Sequence, residues 1–527
     1  MLRPTFSGFQ VAKSGLSVSQ KLLDVTGQNI TNINTDGYTR QRVDLYSIAH
    51  SNGNTQYALA NGGIGRGVGD TGASQIRDQF LDIRYRNEAA KVGKENVMGE
   101  ALSDLEYIFS EVTTEGLDSK FSDFISQLQA LSATPSDPVI EGVVKTAATT
   151  ITQLFNHYSK QIDTVRDQQI TYLEDGVNET NKILSEIAEL NKQIRDQNIH
   201  GDKALELNDK RNTLIDELST YMNIEVEKTS EDIGSGKMVE TLSIKSKDID
   251  NGQNPPASLY LIKGKDCAQI ELDKTDNKDV KILINTNIDA NYTGDNNITA
   301  ELEKGQLSGY LLFLNNKAEF TNDTNYTTMD RGIQYYQGML DSIAREFANM
   351  FNEANIDSEG NSKDLFAAGG GEAVITAGNI KISDEWKNTT ESYITNTKKA
   401  PVGNDNSAAN DNILNMISLL NKKVDFNNEI SATQSNFLFN GTIQECLSFT
   451  SSTLDLQISN TQALYESYGE TLVAIDTSRA SISGVSLDEE GINLLAYNKS
   501  YSAAARLMTT LDEALNTLIN NTGRVGL

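Results

Sequence analysis

Cysteine is nearly missing from this chain: Cys267 and Cys446 are the only two among 527 residues. A secreted domain held by disulfides needs more cysteines at closer spacing, so no disulfide framework is expected and both thiols read as free. Histidine is as scarce. His50, His157 and His200 stand apart, with no His-Glu-x-x-His and no Cys-x-x-Cys anywhere. A zinc site or a histidine acid–base centre is therefore not expected, nor is any cofactor. Positive charge is also in deficit, with 45 Lys and Arg against 73 Asp and Glu, a formal net charge of −28. Such a surface repels phosphate backbones and anionic lipid, which argues against nucleic acid and membranes as partners. No run approaches the ~18 apolar residues of a membrane span. The start, Met1-Leu-Arg-Pro-Thr-Phe6, lacks the apolar core of a cleavable leader. Composition alone would place the protein in the cytosol.

The six prolines are informative by where they are absent. None lies between Pro138 and Pro255, and none follows Pro401, so long helices are permitted in both windows. Apolar periodicity fills them. Phe155, Tyr158, Ile162 and Val165, then Ile183, Ile187, Leu190 and Ile194, each fall on one helix face. In the later window Leu454, Ile458, Thr461, Tyr465, Tyr468, Leu472 and Ile475 alternate steps of four and three. The ranges 117–131, 206–218 and 329–351 also read as helical. These stripes predict the core of a helix bundle. From 223 to 298 the character changes to short β-rich runs, 224–226, 241–244, 259–262 and 280–284, separated by Gly, Asn, Asp and Ser. At this length, two to four domains are expected.

The two ends carry a different pattern. Near the C-terminus Leu494, Tyr501, Met508 and Leu515 recur every seven residues, and Tyr497, Ala504, Leu511 and Leu518 follow three later. This a/d seam predicts a helix built to lie along another helix. Ser486 and Glu489 have the spacing of a capping box, and Asp488 adds charge that suits a helix N-terminus. Near the N-terminus Phe9, Leu16, Leu23 and Ile30 form one row, and Ala12, Ser19, Thr26 and Ile33 the other. This second seam is half polar and close to Gly8, Gly15 and Gly27, each glycine costing a helix interior about 0.5–1 kcal/mol. Alone it is marginal in water, so it requires a partner.

That helix ends in Asn29-Ile-Thr-Asn32-Ile-Asn-Thr35-Asp-Gly37-Tyr38-Thr-Arg40. The plain reading is a C-cap followed by a turn, with Gly37 or Asn34 left-handed. The six numbered positions of that run also match the signature Asn-x-x-Asn-x-x-Thr-x-Gly-Tyr-x-Arg of bacterial flagellar rod, hook and hook-associated proteins. The ending Val485-Ser-Leu-Asp-Glu-Glu490, with Leu494, Tyr497, Tyr501, Ala503-Ala-Ala-Arg506 and Asp512-Glu513, resembles the FlgK-type hook-associated family in particular. The likeness covers roughly the first ninety and last eighty residues, with a looser one through the helices between. Gly491 in the first turn and the tail beyond Asn520 depart from the family pattern.

The helical stripes, the β-rich runs and the resemblance at the two ends together predict a fold mainly α with a β-rich insertion. The insertion is read from the residues alone, because it and 358–412 match nothing in the family. The expected parts are a terminal coiled coil (1–45 with 484–527), a helical bundle (46–222 with 299–356 and 426–483) and a β-rich outer part (223–298 with 357–425). The resemblance implies a structural, non-enzymatic subunit, exported by the flagellar type III route to an extracellular flagellum. Such a subunit would polymerise with itself in a ring or helical lattice, with hook protein below and a second hook-associated junction protein above. An export chaperone on the C-terminal helix is implied as well. Its termini would be disordered in the monomer and ordered on assembly. Another axial protein such as a hook protein is the alternative within the class. An axial scaffold whose β insertion serves as an adhesin or enzyme is the alternative outside it.

Other motifs carry less. Gly67-x-Gly69-x-x-Gly72 has dinucleotide-loop spacing but no preceding apolar strand, so a flexible loop is expected. Gly234-Ser-Gly-Lys237 lacks the leading glycine of a phosphate loop. Asn355-x-Asp357-x-Glu359-Gly360 opens like a calcium loop, but Phe366 occupies the twelfth position and cannot coordinate.

Overall fold

A computed structural model describes residues 5–48, 67–112, 116–232, 238–250, 258–275, 279–285, 288, 296–320, 331–356, 359–398, 409–431 and 434–521. His50, the Gly234–Lys237 run and Asp357 lie outside the described residues. Helix α1 (Thr5–Thr31) leads into the antiparallel strands β1 (Gln41–Ser47) and β2 (Val68–Gln75). Helices α2 (Gln79–Glu111), α3 (Leu117–Ala133), α4 (Pro138–His200) and α5 (Leu205–Tyr221) follow. Next come strands β3 (Ile224–Asp232), β4 (Met238–Asp250), β5 (Ser258–Lys263), β6 (Asp266–Cys267), β7 (Gln269–Asp273) and β8 (Lys281–Asn285). The chain returns to helix in α6 (Gln306–Asn315) and α7 (Ile333–Ala354), then passes through β9 (Phe366–Ala368), β10 (Ile380–Ile382), α8 (Asp384–Asn388) and α9 (Asp411–Leu419). It closes with β11 (Val424–Ser431), β12 (Gln434–Gly441), α10 (Ile443–Ser483) and α11 (Leu487–Asn521).

The spine is α4, whose 63 residues span roughly 95 Å at 1.5 Å per residue. Its start is fixed twice over: Asp137 accepts a hydrogen bond from the Val139 amide at 2.8 Å, and Pro138 occupies the first turn, where a missing N–H does no harm. Gly201, at φ +94°, ends it in the left-handed conformation. The periodic residues do what their spacing predicts: Phe155, Tyr158, Ile162, Ile183, Ile187, Leu190 and Ile194 are all buried. Phe121 and Phe124 of α3, Phe155 of α4, Phe347 and Phe351 of α7, and Phe366 of β9 pack ring to ring at centroid distances of 4.9–6.3 Å. Helix α10 lies along α2 and turns Leu454, Thr461 and Ile475 inward. A full capping box starts it: Thr442 Oγ1 accepts from the Glu445 amide at 3.1 Å, and the Thr442 amide donates to Glu445 Oε2 at 2.9 Å. Cys267 and Cys446 are both free thiols, the second fully buried.

The predicted β runs become strands, with β3, β4, β5 and β6 in one antiparallel sheet and β7 with β8 in another. Ile244, Leu261, Ile270 and Ile282 are buried and belong to one apolar core with Ile183 and Ile187 of α4. The segments 223–298 and 357–425, grouped above as one β-rich part, share no strand ladder among the described residues; β10 pairs with β9 in a sheet of its own.

Two strand pairs differ from expectation. Within the range assigned to the bundle, β11 pairs with β12; Phe426 is buried, and Phe439 stacks on Phe449 of α10 with centroids 4.9 Å apart. The glycine-rich run expected to be a flexible loop is instead strand β2 and its approach. A side chain at Gly69 would put its Cβ 2.6 Å from the Tyr46 ring, and Gly67, at φ +107°, lies against Ser14 of α1. Those glycines allow close contact between neighbours rather than a grip on phosphate.

Candidate assembly interface

Helices α1 and α11 pack antiparallel within one chain. A Cβ on Gly8 would lie 3.2 Å from Leu511 Cδ1, and one on Gly15 3.5 Å from Ala504 Cβ, so the register runs in opposite directions along the two helices. Two of the three glycines that weaken α1 in isolation, Gly8 and Gly15, thus lie against α11, whereas a Cβ on Gly27 would meet nothing within 4 Å. Ala12, Ser19 and Thr26, one row of the predicted seam, are buried. The other row, Phe9, Leu16, Leu23 and Ile30, is only half-buried, and Ile33 beyond the helix is exposed. On α11 the seam divides in the same way. Tyr497, Ala504, Met508, Leu511 and Leu515 are half-buried, whereas Leu494, Tyr501 and Leu518 are exposed, as is the neighbouring Leu495 at 63%. Strands β1 and β2 pack on another part of α1, where Lys21 pairs with Asp70 at 2.7 Å. Each terminal helix therefore buries part of its apolar face in the chain and leaves part uncovered.

The Asn29–Arg40 motif is the fastening of this pair. Asn29, buried, donates its amide to the Gln41 carbonyl at 2.9 Å and accepts from the Gln41 amide at 3.0 Å, as a strand neighbour would. The Tyr38 hydroxyl donates to the same Asn29 oxygen at 2.9 Å. Asn32 and Thr35 shape the turn: Thr35 donates through its amide to the Asn32 carbonyl at 3.0 Å and through its hydroxyl to Asn32 Oδ1 at 3.2 Å. Gly37 adopts φ +76°, and a Cβ there would fall 2.2 Å from Thr213 Oγ1 of α5. The Thr39 amide donates to Asp209, also on α5, at 3.2 Å. Burial, with Asp209, Glu206 and Glu490 near by, pushes the Tyr38 phenol up to about 12.

Arg40 ties this turn to the other end of the chain. Its amide donates to the Ser483 carbonyl at 2.8 Å. Its guanidinium meets Glu490 at 2.7 Å and Glu489 at 2.6 Å. This changes the predicted cap. Ser486 Oγ accepts from the Glu489 amide at a long 3.5 Å, but the Glu489 carboxylate goes to Arg40 instead of returning to Ser486, since a guanidinium fork is the stronger partner. Asp488 stays exposed beside them. Behind the junction, Arg479 of α10 bonds Asp216 at 2.6 Å and Asp82 at 3.2 Å and lies over the Tyr85 ring, pinning α10 to α2 and α5. Sequence reasoning missed Gln41, Asp209, Thr213, Asp216 and Arg479. Glu490 was visible only as one acid of a run, with nothing to mark it as the partner of Arg40.

The set-aside candidates stay apart from this site. His157 and His200 are exposed on α4, and the described residues contain no grouping of three His, Cys, Asp or Glu able to hold a metal. Asn355, first residue of the calcium-like run, is buried and spends its amide on the Lys363 carbonyl and the Thr395 amide, each at 2.7 Å. No helix is long and apolar enough to cross a membrane among the described residues.

Known proteins resemble this chain along its length. The family model described as "Flagellar hook-associated protein FlgK helical domain" matches residues 102–366, half of the chain. "Flagella basal body rod protein" matches residues 9–39, and "Flagellar basal body rod FlgEFG protein C-terminal" residues 478–521, so the two outer matches fall on α1 and α11 with their junctions. Flagellar hook-associated protein 1 of Bacillus subtilis is 30% identical over 98% of this chain and 99% of its own length. The Escherichia coli protein of the same name is 25% identical over 97% and 98%. The solved flagellar hook junction protein FlgK of Burkholderia pseudomallei aligns at 20% identity and a TM-score of 0.42, over 55% of this chain and 47% of that one. The chain belongs to the FlgK family of flagellar hook-associated proteins and is a structural component of the flagellar axis.

Proposed function

We propose that this protein joins hook to filament by polymerising through α1 and α11, and that it does so without catalysis. The observation that carries the reading is the division of each terminal seam. Phe9, Leu16, Leu23 and Ile30, with Leu494, Tyr501 and Leu518, leave apolar surface beside a contact already closed within the chain. Full burial of a large apolar side chain contributes about 1.5–3 kcal/mol, so a few of these residues meeting a second copy provide a substantial driving force. The neighbours are further copies in a ring or helical lattice, hook protein on one side and the second hook-associated junction protein on the other. The chain reaches this position through type III export, with a chaperone shielding α11 beforehand. In the lattice the terminal pair, 1–45 with 484–527, forms the inner layer. The bundle surrounds it, and the β-rich segments 223–298 and 357–425 face outward.

A double substitution, Leu16→Glu with Leu23→Glu, tests the reading. Both side chains are only half-buried and lie on α1, outside the bundle core, so the purified variant keeps the thermal transition of its bundle. Expressed in cells lacking the wild-type copy, it is exported but fails to join the flagellum. Normal incorporation and motility of that variant would overturn the proposal. Deleting 494–518 is expected to give the same loss of assembly with the middle of the chain still folded.

A further inference from the structure

Arg211 of α5 is 5% exposed, yet it has no carboxylate as a hydrogen-bond partner. Its two terminal nitrogens donate to neutral amides, Asn191 Oδ1 at 2.9 Å and Asn208 Oδ1 at 2.7 Å, and its Nε has no partner. A guanidinium this deep is normally matched by an anion, because an uncompensated buried charge is strongly unfavourable. Burial first, then the neighbouring Arg86, lowers its pKa to about 10, and only Glu240 acts in the other direction. Glu240 is itself committed to an ion pair with Lys228 at 3.0 Å.

Arg211 forms one wall of a cleft of about 330 Å³ between the end of α4 and the turn joining β5 to β6. Lys192 and Arg195 line it from α4, and Lys263 and Lys265 from the turn; Glu240 is the one carboxylate in its lining. Five cations against one carboxylate in the lining, even with Lys192 also paired to Glu189 at 3.5 Å, is out of character for a chain of net charge −28. Low-dielectric walls with charge of one sign concentrate the field of that charge in the cleft.

We propose that this cleft binds a small oxyanion, a carboxylate or phosphate type of group that accepts hydrogen bonds from the rim lysines and offsets the charge of Arg211. Two sources supply that chemistry: a free inorganic oxyanion, or an acidic side chain of a second copy. The site does not depend on polymerisation through the terminal helices, and failure of either idea leaves the other standing.

The test uses full-length monomer and inorganic phosphate, with sodium chloride at matched ionic strength as the control. Phosphate is expected to raise the thermal midpoint in a saturable way that chloride does not reproduce. Lys263→Glu with Lys265→Glu, two exposed residues outside the core, should weaken phosphate binding in calorimetry by about tenfold, as expected when attraction at a rim becomes repulsion. Equal responses to phosphate and chloride, or an undiminished response in the double variant, would overturn the site. Sedimentation at low salt separates the sources. Association that phosphate dissolves identifies the carboxylate of a second copy, and a monomer that binds phosphate without associating identifies a free oxyanion; each result supports the site.

Discussion

Arg40 Nε stands 2.8 Å from Glu490 Oε1, a bond between residues 450 positions apart that closes one end of the chain on the other. The Glu490 side chain is 3% exposed, so removing its partner strands a carboxylate in a nearly dry place. The second contact, to a largely exposed Glu489, contributes little by comparison. Arg40→Ala is therefore expected to loosen the terminal pair by about 3 kcal/mol. Amide exchange should report this as about a hundredfold faster exchange in α1 and the start of α11, with α4 unchanged. Arg40→Lys should restore only part of the protection, because an ammonium cannot reproduce the fork that spans both carboxylates. Unaltered α1 exchange in Arg40→Ala would show that the bond does not hold the pair.

Gly37 makes a second, separable contribution to the same junction. Its φ of +76° strains any residue with a Cβ, and that Cβ would overlap Thr213 Oγ1 at 2.2 Å. Gly37→Ala should destabilise the fold by about 2 kcal/mol, combining left-handed strain with overpacking. Thr213→Ala removes the hydroxyl without touching the backbone. In the double variant the overlap disappears and the strain persists, so roughly half of the loss should return. A thermal-denaturation cycle over the four proteins measures that coupling. Simple additivity would mean that the turn shifts away from α5.

The terminal seams show what the sequence could and could not say. Heptad reasoning found both helices but ranked Phe9, Leu16, Leu23 and Ile30 with Ala12, Ser19 and Thr26 as one seam. In the fold Gly8 and Gly15 lie against α11, and it is the small residues Ala12, Ser19 and Thr26 that are buried, because two backbones approach closely only where side chains are short. Bulk here marks the row left half-covered, whereas smallness marks the row that is buried. The stripes of α4 were legible because local periodicity alone decides them. Strands β1 and β2 were not: their pairing joins Gln41 to Gln75 across a long gap, and the Gly-rich β2 has little β propensity of its own. The bond from Arg40 to Glu490 has no local signal at all. The Asn29–Arg40 signature announced a family without revealing that its residues form a junction.

A buried carboxylate at the start of α4 gives a prediction with a specific optical readout. Glu141 is 2% exposed and accepts from Trp386 Nε1 at 3.0 Å, Ser392 Oγ at 2.8 Å and the Tyr393 amide at 3.0 Å. Glu141→Ala leaves those donors without an acceptor, at a cost of about 3 kcal/mol when several buried groups lose partners together. Trp386 is the single tryptophan of the chain, so its fluorescence reports on this place alone. Red-shifted emission and an earlier denaturation midpoint are expected, with Glu141→Gln intermediate because it keeps one acceptor oxygen. An unshifted emission maximum in Glu141→Ala would show that the loop over α4 is held by other contacts.

Alkaline pH offers a probe of the N-terminal turn that needs no loss of packing. The Tyr38 phenol is pushed up to about 12, by burial first and then by Asp209, Glu206 and Glu490, against about 10 for an unfolded tyrosine. The folded chain thus holds this proton more tightly than the unfolded one. The stability linked to it is complete below pH ~10 and is lost progressively as pH rises through ~12. Other buried tyrosines, Tyr310 and Tyr336 among them, shift in the same direction, so the wild-type curve alone does not isolate the effect. Tyr38→Phe keeps the ring, loses the hydrogen bond to Asn29, and cannot ionise. Its stability should lie below wild type at neutral pH and decline less steeply above pH ~10, so that the two curves converge. Denaturant midpoints measured for both proteins across the alkaline range give the comparison, and parallel curves would mean that Tyr38 titrates as if it were in water.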